Sequence, residues 1–218
     1  MLAVFENARL ASLEHPWYLS RMGQVSEDAD DSEWLAAWCA GDKRAGAALI
    51  ERHFTSVYRF FRNKVRGEVD DLVQRTFMSC LEARPTFRAE CSFRSMLFGI
   101  ARRRLYDYYR EQRRDAALDF TTTSLRALGT TPSAALARKD LVHGLQAVLH
   151  DLPMETQILI ELRYVEGMST AQLAHVFDAP EGTIKRRQFE ARAQLRAALR
   201  ARGYGDYMRG AQALHSSR

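Results

Sequence analysis

The sequence has little cysteine and lacks the residue patterns of most catalytic or metal sites. Its 218 residues include three cysteines, Cys39, Cys80 and Cys91, with no CxxC motif. Neither a disulfide framework nor a zinc site is expected, and the thiols fit a reducing compartment. Clustered histidines, paired acids at ligand spacing and phosphate-binding glycine loops are also missing. These absences predict a protein that is not an enzyme and uses no metal or other cofactor.

The sequence also lacks long hydrophobic runs. No apolar stretch approaches the ~20 residues that a membrane-spanning helix requires. The N-terminal stretch MLAVFENARLASLEH carries Glu6 and Glu14 and has no basic block ahead of an apolar core. We therefore expect no membrane insertion and a cytoplasmic location.

Positive charge is modest in total but concentrated in two places. Lys and Arg number 32 against 27 Asp and Glu, which gives a net charge of +5. Because acids are plentiful, the excess comes from local clusters, one in residues 87–114 and the other in residues 182–192. Clustered cations on a folded surface indicate a polyanionic partner.

The periodicity of apolar residues divides the chain into two helical parts. Residues 33–114 and 139–202 show helical spacing without alternating β-branched runs. Residues 115–138 are rich in Thr, Ser, Gly and Pro, which favours turns and predicts a linker. Residues 1–32, which end within the acidic run SEDADDSE, are predicted as an N-terminal extension, and residues 203–218 as a C-terminal tail. The predicted fold is all-α, with two small helical domains joined by a flexible linker.

The second domain shows the signals of a helix-turn-helix. Ser169 followed by Gln172 predicts a capping box at the start of one helix. Pro180 suits the first position of the next helix, where Glu181 complements the positive end of the dipole. One apolar stripe of this second helix comprises Ile184, Ala191, Leu195 and Leu199. Its first turns would then enter the major groove of DNA.

This arrangement accounts for three adjacent cations, Lys185, Arg186 and Arg187. They repel one another unless an anion lies opposite, and phosphates and base edges provide that anion and the hydrogen-bond acceptors. Gly182, just before them, permits close backbone approach. The alternative is a basic, solvated helix that ends a helical bundle.

The first cluster, FRAECSFRSMLFGIARRRLYDYYREQRR, interleaves arginines with aromatic residues. Aromatic rings beside guanidinium groups form surfaces on which single-stranded bases stack. We assign Phe93, Leu97, Ile100 and Ala101 to the core and the stacking role to the other aromatics. A purely structural Tyr/Arg surface is the alternative. Upstream, DDLVQRTF predicts an amphipathic helix with an acid near its start.

Taken together, these motifs resemble the extracytoplasmic-function (ECF) group of bacterial RNA polymerase sigma factors. DDLVQRTF is similar to the family's clamp-binding helix, SFRSMLFGIARRRLYD to its promoter-melting helix, and GTIKRRQFEARAQL to its C-terminal promoter-binding domain. The resemblance runs from about Trp34 to Arg202 in the family's order. It implies a subunit that binds the β′ clamp and the β subunit of core RNA polymerase, directs it to specific promoter DNA and helps melt the minus-10 element. Such proteins commonly have an anti-sigma factor.

The resemblance also implies three sets of binding residues. The set for core polymerase is Asp71, Leu72, Gln74 and Arg75. The set for minus-10 DNA is Phe87, Arg88, Arg102, Arg103, Tyr106 and Arg110. The set for minus-35 DNA is Thr183, Lys185, Arg186, Arg187, Phe189 and Glu190.

Four residues depart from the family pattern. Arg75 replaces a usual acid, Met96 a usual Trp, Arg103 a usual Asn, and Glu190 a common Arg. These positions concern clamp contact, strand melting and promoter preference. The competing interpretation is a helix-turn-helix regulator that acts without core polymerase, with the first domain sensing a ligand or partner.

Overall fold

A computed structural model of the chain describes residues 27–83, 91–114, 117–129 and 141–203, without the side chains of 27–30 and 141–145. In these residues the regular secondary structure is eight α-helices, which confirms the all-α prediction. The helices are α1 Glu27–Cys39, α2 Lys43–Arg62, α3 Val69–Ala83, α4 Phe93–Arg113, α5 Leu141–Asp151, α6 Met154–Tyr164, α7 Thr170–Phe177 and α8 Glu181–Ala201.

The described residues form two compact units. The first contains α1 to α4 together with Ser169–Ile184, and therefore includes α7. The second contains Asp119–Met168 together with the chain from Lys185 onward, and therefore includes α5, α6 and most of α8. This division differs from the predicted domains, which assign all of residues 139–202 to one helical domain.

The core of the first unit is built around α4. This helix packs against α1, α2, α3 and α7. Its Phe98 ring meets Phe60 of α2 edge to face, with ring centroids 5.9 Å apart. Leu97 and Leu105 of the same helix are also completely buried. Each fully buried side chain of this size contributes about 1.5 to 3 kcal/mol of hydrophobic stabilisation, so α4 is the main apolar element of this unit.

Part of the predicted N-terminal extension is helical. α1 begins at Glu27, and Asp31 within the acidic run is only 1% exposed. Its carboxylate oxygens lie 3.0 Å from Arg52 Nη1 and 2.6 Å from His53 Nε2. The acidic composition predicts a flexible extension instead, because it does not reveal these partners, which follow 21 and 22 residues later. The extension up to residue 26 lies outside the described residues.

Part of the predicted linker is folded. Phe120 and Leu125 are buried in the second unit. The amide of Met154 donates to the Thr123 carbonyl at 2.9 Å, and the Asp119 carboxylate accepts from the Thr121 amide at 2.8 Å. Hydrogen bonds from Thr121 hold the pKa of Asp119 below its usual value. Residues 119–129 are therefore not flexible chain, although the rest of 115–138 lies outside the described residues apart from 117 and 118.

The buried acid of α1 gives a stability prediction. We expect Asp31→Ala to lower the free energy of unfolding by about 3 kcal/mol, because it removes the buried carboxylate that pairs with Arg52 and hydrogen-bonds to His53. Glu33→Ala, an exposed acid on the same helix, should change it by less than about 0.5 kcal/mol. Urea denaturation of both variants measures the difference. Equal losses would show that Asp31 is not a structural acid.

Candidate polymerase and nucleic-acid interface

The local structure of the helix-turn-helix agrees with the sequence prediction. Ser169 Oγ accepts from the Gln172 amide at 3.1 Å, and Gln172 Oε1 accepts from the Ser169 amide at 2.8 Å. Asp178 adopts a left-handed conformation, with φ of 50°, and ends α7. α8 begins at Glu181, one residue later than predicted, because the Pro180 carbonyl accepts the first helical bond from Ile184. The capping box is confirmed.

The two sides of α8 differ in burial. The buried stripe is confirmed and comprises Ile184, Ala191, Leu195 and Leu199. The opposite side of the first turns exposes Lys185, Arg186, Phe189 and Glu190. Phe189 is 62% exposed, although a ring of this size normally gains from burial. An exposed aromatic beside two cations is typical of a binding surface.

Ion pairs hold two arginines of α8. Arg186 Nη1 lies 3.1 Å from Glu190 Oε1, one turn along the same helix. Arg187 Nη1 lies 3.5 Å from Glu155 Oε1 on α6. An exposed pair such as Arg186–Glu190 contributes about 0 to 1 kcal/mol, so an anion can displace it at little cost. Thr183 is half-buried in the first turn.

The predicted minus-10 residues on α4 fall into two environments. Arg103 is exposed, whereas Tyr106 is only 9% exposed. The guanidinium carbon of Arg102 lies 5.3 Å from the centroid of the Tyr106 ring. Arg110 is half-buried and lies 3.8 Å from the Asp107 carboxylate. Phe87 and Arg88 lie outside the described residues.

The polar side of α3 carries three of the four predicted polymerase-binding residues. Asp71, Gln74 and Arg75 are exposed, and the Arg75 Nε lies 2.8 Å from Asp71 Oδ2. Leu72 is instead only 5% exposed. Because successive helical residues are rotated by about 100°, Leu72 cannot share the exposed side of Asp71 and Arg75. Its place in the structure is the apolar core.

The exposed polar side of α3 continues beyond the residues predicted from the sequence. A shallow groove on the first unit is lined by Asp71, Gln74, Arg75, Met78, Ser79, Glu82 and Arg104. Arg104 of α4 donates to Ser79 Oγ at 2.6 Å and closes one wall. Met78 is 51% exposed on the same side. The helical repeat from Gln74 to Met78 and Glu82 is the signal that predicts this extension.

The described residues offer no grouping of three or more His, Cys, Asp or Glu side chains that could hold a metal ion. In the same part of the chain, no helix is long and apolar enough to cross a membrane. Burial raises the pKa of the Cys80 thiol to about 12. Cys80 is therefore a protonated packing residue at neutral pH.

Comparisons with known proteins identify the family. Sigma-70 region 2 matches residues 49–115, and Sigma-70 region 4 matches residues 148–197. The ECF RNA polymerase sigma-E factor of Haemophilus influenzae is 30% identical over 182 residues, which cover 78% of this chain and 96% of that protein. The chain belongs to the ECF sigma factor family. The sigma-E factor of Escherichia coli K12 is 27% identical over 181 residues, covering 78% of this chain and 95% of its own length.

Solved structures agree with this assignment. CnrH, solved in complex with the cytosolic domain of CnrY, has a TM-score of 0.60 and 25% identity, covering 79% of this sigma factor and 98% of CnrH. The sigma factor RpoE from Bartonella quintana, solved with the anti-sigma factor NepR, shares the fold at a TM-score of 0.53 and 22% identity. That match covers 69% of this chain and 94% of RpoE.

The family membership establishes the function. As an ECF sigma factor, the protein binds core RNA polymerase and directs it to promoter DNA. Sigma factors are non-enzymatic initiation factors. A regulator that acts without core polymerase is therefore not retained as an interpretation.

The burial of Leu72 gives a prediction for this sigma factor. We expect Leu72→Ala to lower the free energy of unfolding by about 2 to 5 kcal/mol, because it leaves a cavity in the core. Gln74→Ala, on the exposed side of the same helix, should change it by less than about 0.5 kcal/mol. Urea denaturation distinguishes the two positions. If Leu72→Ala left the free energy of unfolding unchanged, Leu72 would be a surface residue and would return to the proposed polymerase-binding set.

Proposed function

We propose that the first two turns of α8 read the minus-35 element of the promoter. The observation that carries this proposal is the exposed side formed by Lys185, Arg186, Phe189 and Glu190, opposite a fully buried stripe. A helix so arranged can present its N-terminal side chains to the major groove while its other face stays packed. Thr183, in the first turn, lies where backbone amides and the helix dipole favour a phosphate.

The side chains of α8 make different contacts with DNA because their chemistry differs. Lys185 and Arg186 neutralise phosphates or donate to guanine edges. Glu190 carries the wrong charge for a phosphate but can accept a hydrogen bond from the amino group of cytosine. Arg187 is oriented by Glu155 and contacts the backbone, where it carries no sequence information.

We assign binding of the minus-10 element to α4 and to the segment before it. Arg103 is exposed, and its guanidinium offers only donors where the family's Asn amide offers donors and an acceptor. Arg102, Tyr106 and Arg110 complete the described part of this surface. Phe87 and Arg88 are kept in the proposal on the family resemblance. With Met96 in place of Trp, strand melting relies more on these neighbours.

We assign binding of core polymerase to the polar side of α3. Asp71, Gln74 and Arg75 present hydrogen-bonding groups, and the adjacent Met78 adds apolar area. The Asp71 carboxylate partly neutralises Arg75 and thereby reduces its repulsion from a basic clamp surface. This pairing offers a way for the sigma factor to tolerate a cation where an acid is usual.

The remaining proposals concern the protein's activity, location, partner and domain roles. The protein would have no catalytic activity of its own and act in the cytoplasm with RNA polymerase. An anti-sigma partner is proposed by analogy with CnrH, which was solved with the cytosolic domain of CnrY. We also keep the functional division into residues 33–114 for polymerase and minus-10 DNA and residues 139–202 for minus-35 DNA.

The role of Glu190 is testable in salt titrations. We expect Glu190→Arg to raise affinity for scrambled duplexes, steepen the slope of log affinity against log salt by about 1, and relax base preference at one minus-35 position. Arg187→Ala should weaken binding to all sequences evenly. The duplexes are selected by the wild-type protein from a random-sequence pool, and scrambled versions serve for comparison.

Ala197→Arg provides the control, because it adds a cation to an exposed position of α8 beyond the first turns. Ala197→Arg should steepen the salt slope less than Glu190→Arg does, and it should leave the base preference unchanged. If Glu190→Arg and Arg187→Ala act equally on selected and scrambled duplexes, the proposed base-reading role of Glu190 is wrong.

A further inference from the structure

The folded part of the predicted linker, residues 119–129, is anchored to the second unit by its backbone. The amide of Met154 donates to the Thr123 carbonyl at 2.9 Å, and the amide of Glu155 donates to the Phe120 carbonyl at 3.1 Å. Both donors belong to the start of α6. This segment, called the strap below, is therefore docked on the first turn of that helix.

Side chains of the strap add apolar and ionic contacts within the second unit. Phe120 is 4% exposed, and Leu125 is completely buried. The Arg126 guanidinium pairs with the Asp151 carboxylate, which also accepts from Arg202 just beyond the end of α8. Burial of two large apolar side chains favours the docked strap over a solvated one.

A docked strap leaves a short connection between α4 and the second unit. The helix ends at Arg113, with Arg114 as its C-cap, and the strap begins at Asp119. The extended chain between residues 114 and 119 spans at most about 18 Å. This limit is covalent, so it holds for as long as the strap stays docked.

The short connection limits how far apart the two proposed DNA-binding helices can act. Along α4, the rise from Arg103 to Arg114 is about 16 Å. In the second unit, Phe120 accepts from the Glu155 amide, and the Glu155 side chain pairs with Arg187 of α8 at 3.5 Å. With side chains extended, Arg103 and Arg187 can reach DNA groups that are at most about 65 Å apart.

The two promoter elements lie further apart than this reach. Their positions, minus-10 and minus-35, differ by about 25 base pairs, which is about 85 Å of duplex. We infer that the strap is releasable and leaves the second unit when one sigma factor contacts both elements of a promoter. The released chain from residue 114 to the start of α5 at Leu141 spans up to about 90 Å, which is sufficient.

The inference rests on the proposed roles of α4 and α8 and adds a conformational step between them. Phe120 and Leu125 lose their buried sites when the strap leaves. The apparent affinity for a promoter with both elements is therefore reduced by the fraction of molecules whose strap is released. Binding to a single element carries no such penalty, because the docked strap leaves each helix free to act alone.

A disulfide can hold the strap in place in the full chain. Ser124 and Pro153 form an antiparallel β-bridge, in which Cα atoms lie about 4.5 to 5.5 Å apart, within disulfide range. The test protein carries Ser124→Cys and Pro153→Cys in a background of Cys39→Ser and Cys91→Ser. Cys80 is kept, because its burial and raised pKa make it slow to oxidise.

Two duplexes serve as probes. One is a promoter duplex selected by the wild-type protein with core RNA polymerase from a random-sequence pool, and the other carries the minus-35 element alone. With core polymerase present, we expect oxidation to lower affinity for the promoter duplex at least about tenfold, because only one element stays in reach. Reduction should restore it. Affinity of the free protein for the minus-35 duplex should be equal in both states.

An insertion of about 15 Gly and Ser residues between positions 116 and 117 is the matched control. It lengthens the connection by up to about 50 Å and leaves the strap intact. In the oxidised protein, the insertion should restore promoter affinity to within about threefold of the reduced protein. In the reduced protein, it should change that affinity by less than about threefold.

Three results would overturn the inference. The first is failure of the cysteine pair to oxidise in the free protein, which would mean that the strap is not docked in solution. The second is equal promoter affinity of the oxidised and reduced proteins. The third is a loss on oxidation that the insertion does not restore, since reach would then not be the cause. If neither state binds the minus-35 duplex, the proposed role of α8 fails, and the inference fails with it.

Discussion

The constraint on which the rest of the structure depends is that α4 supplies core packing and also carries the residues proposed to bind minus-10 DNA. The 21 residues from Phe93 to Arg113 include more buried hydrophobic side chains than any other helix of the first unit and also its densest group of arginines. A helix fixed on several sides by packing presents its remaining side chains in one orientation. The side that remains is divided between exposed Arg103 and the part covered by α7. Packing and recognition on this helix therefore cannot vary independently.

Three of the cations proposed to bind DNA have partners within the protein. Arg186 lies against Glu190, Arg187 against Glu155, and Arg102 against aromatic rings. Pairing reduces the repulsion among adjacent cations before DNA arrives. Binding then exchanges internal partners for phosphates and bases, and each exposed exchange involves about 1 kcal/mol or less. Small differences between such exchanges are sufficient to favour one promoter over another.

Sequence reasoning succeeded where the signal is local. The capping box at Ser169, the buried stripe through Leu195 and the exposed side with Phe189 follow from helical spacing and short-range hydrogen bonding. It failed where burial depends on distant partners, as for Asp31, whose partners Arg52 and His53 lie on the next helix, 21 and 22 residues later. The family motif assigned Leu72 to polymerase binding, although helical rotation places its side chain away from that of Asp71. The packing of α7 on α4 also escaped prediction, because helical spacing predicts an apolar face without identifying the helix that covers it.

The most direct test of the account is the affinity of the purified chain for core RNA polymerase, measured with Gln74→Ala and Gln112→Ala. Both substitutions remove an exposed amide, but only Gln74 lies on the proposed polymerase-binding side of α3. The account predicts a stable complex for the wild type, an affinity for Gln74→Ala lower by roughly fivefold, or about 1 kcal/mol, and no change for Gln112→Ala. Failure to form any complex, or equal effects of the two substitutions, would contradict it.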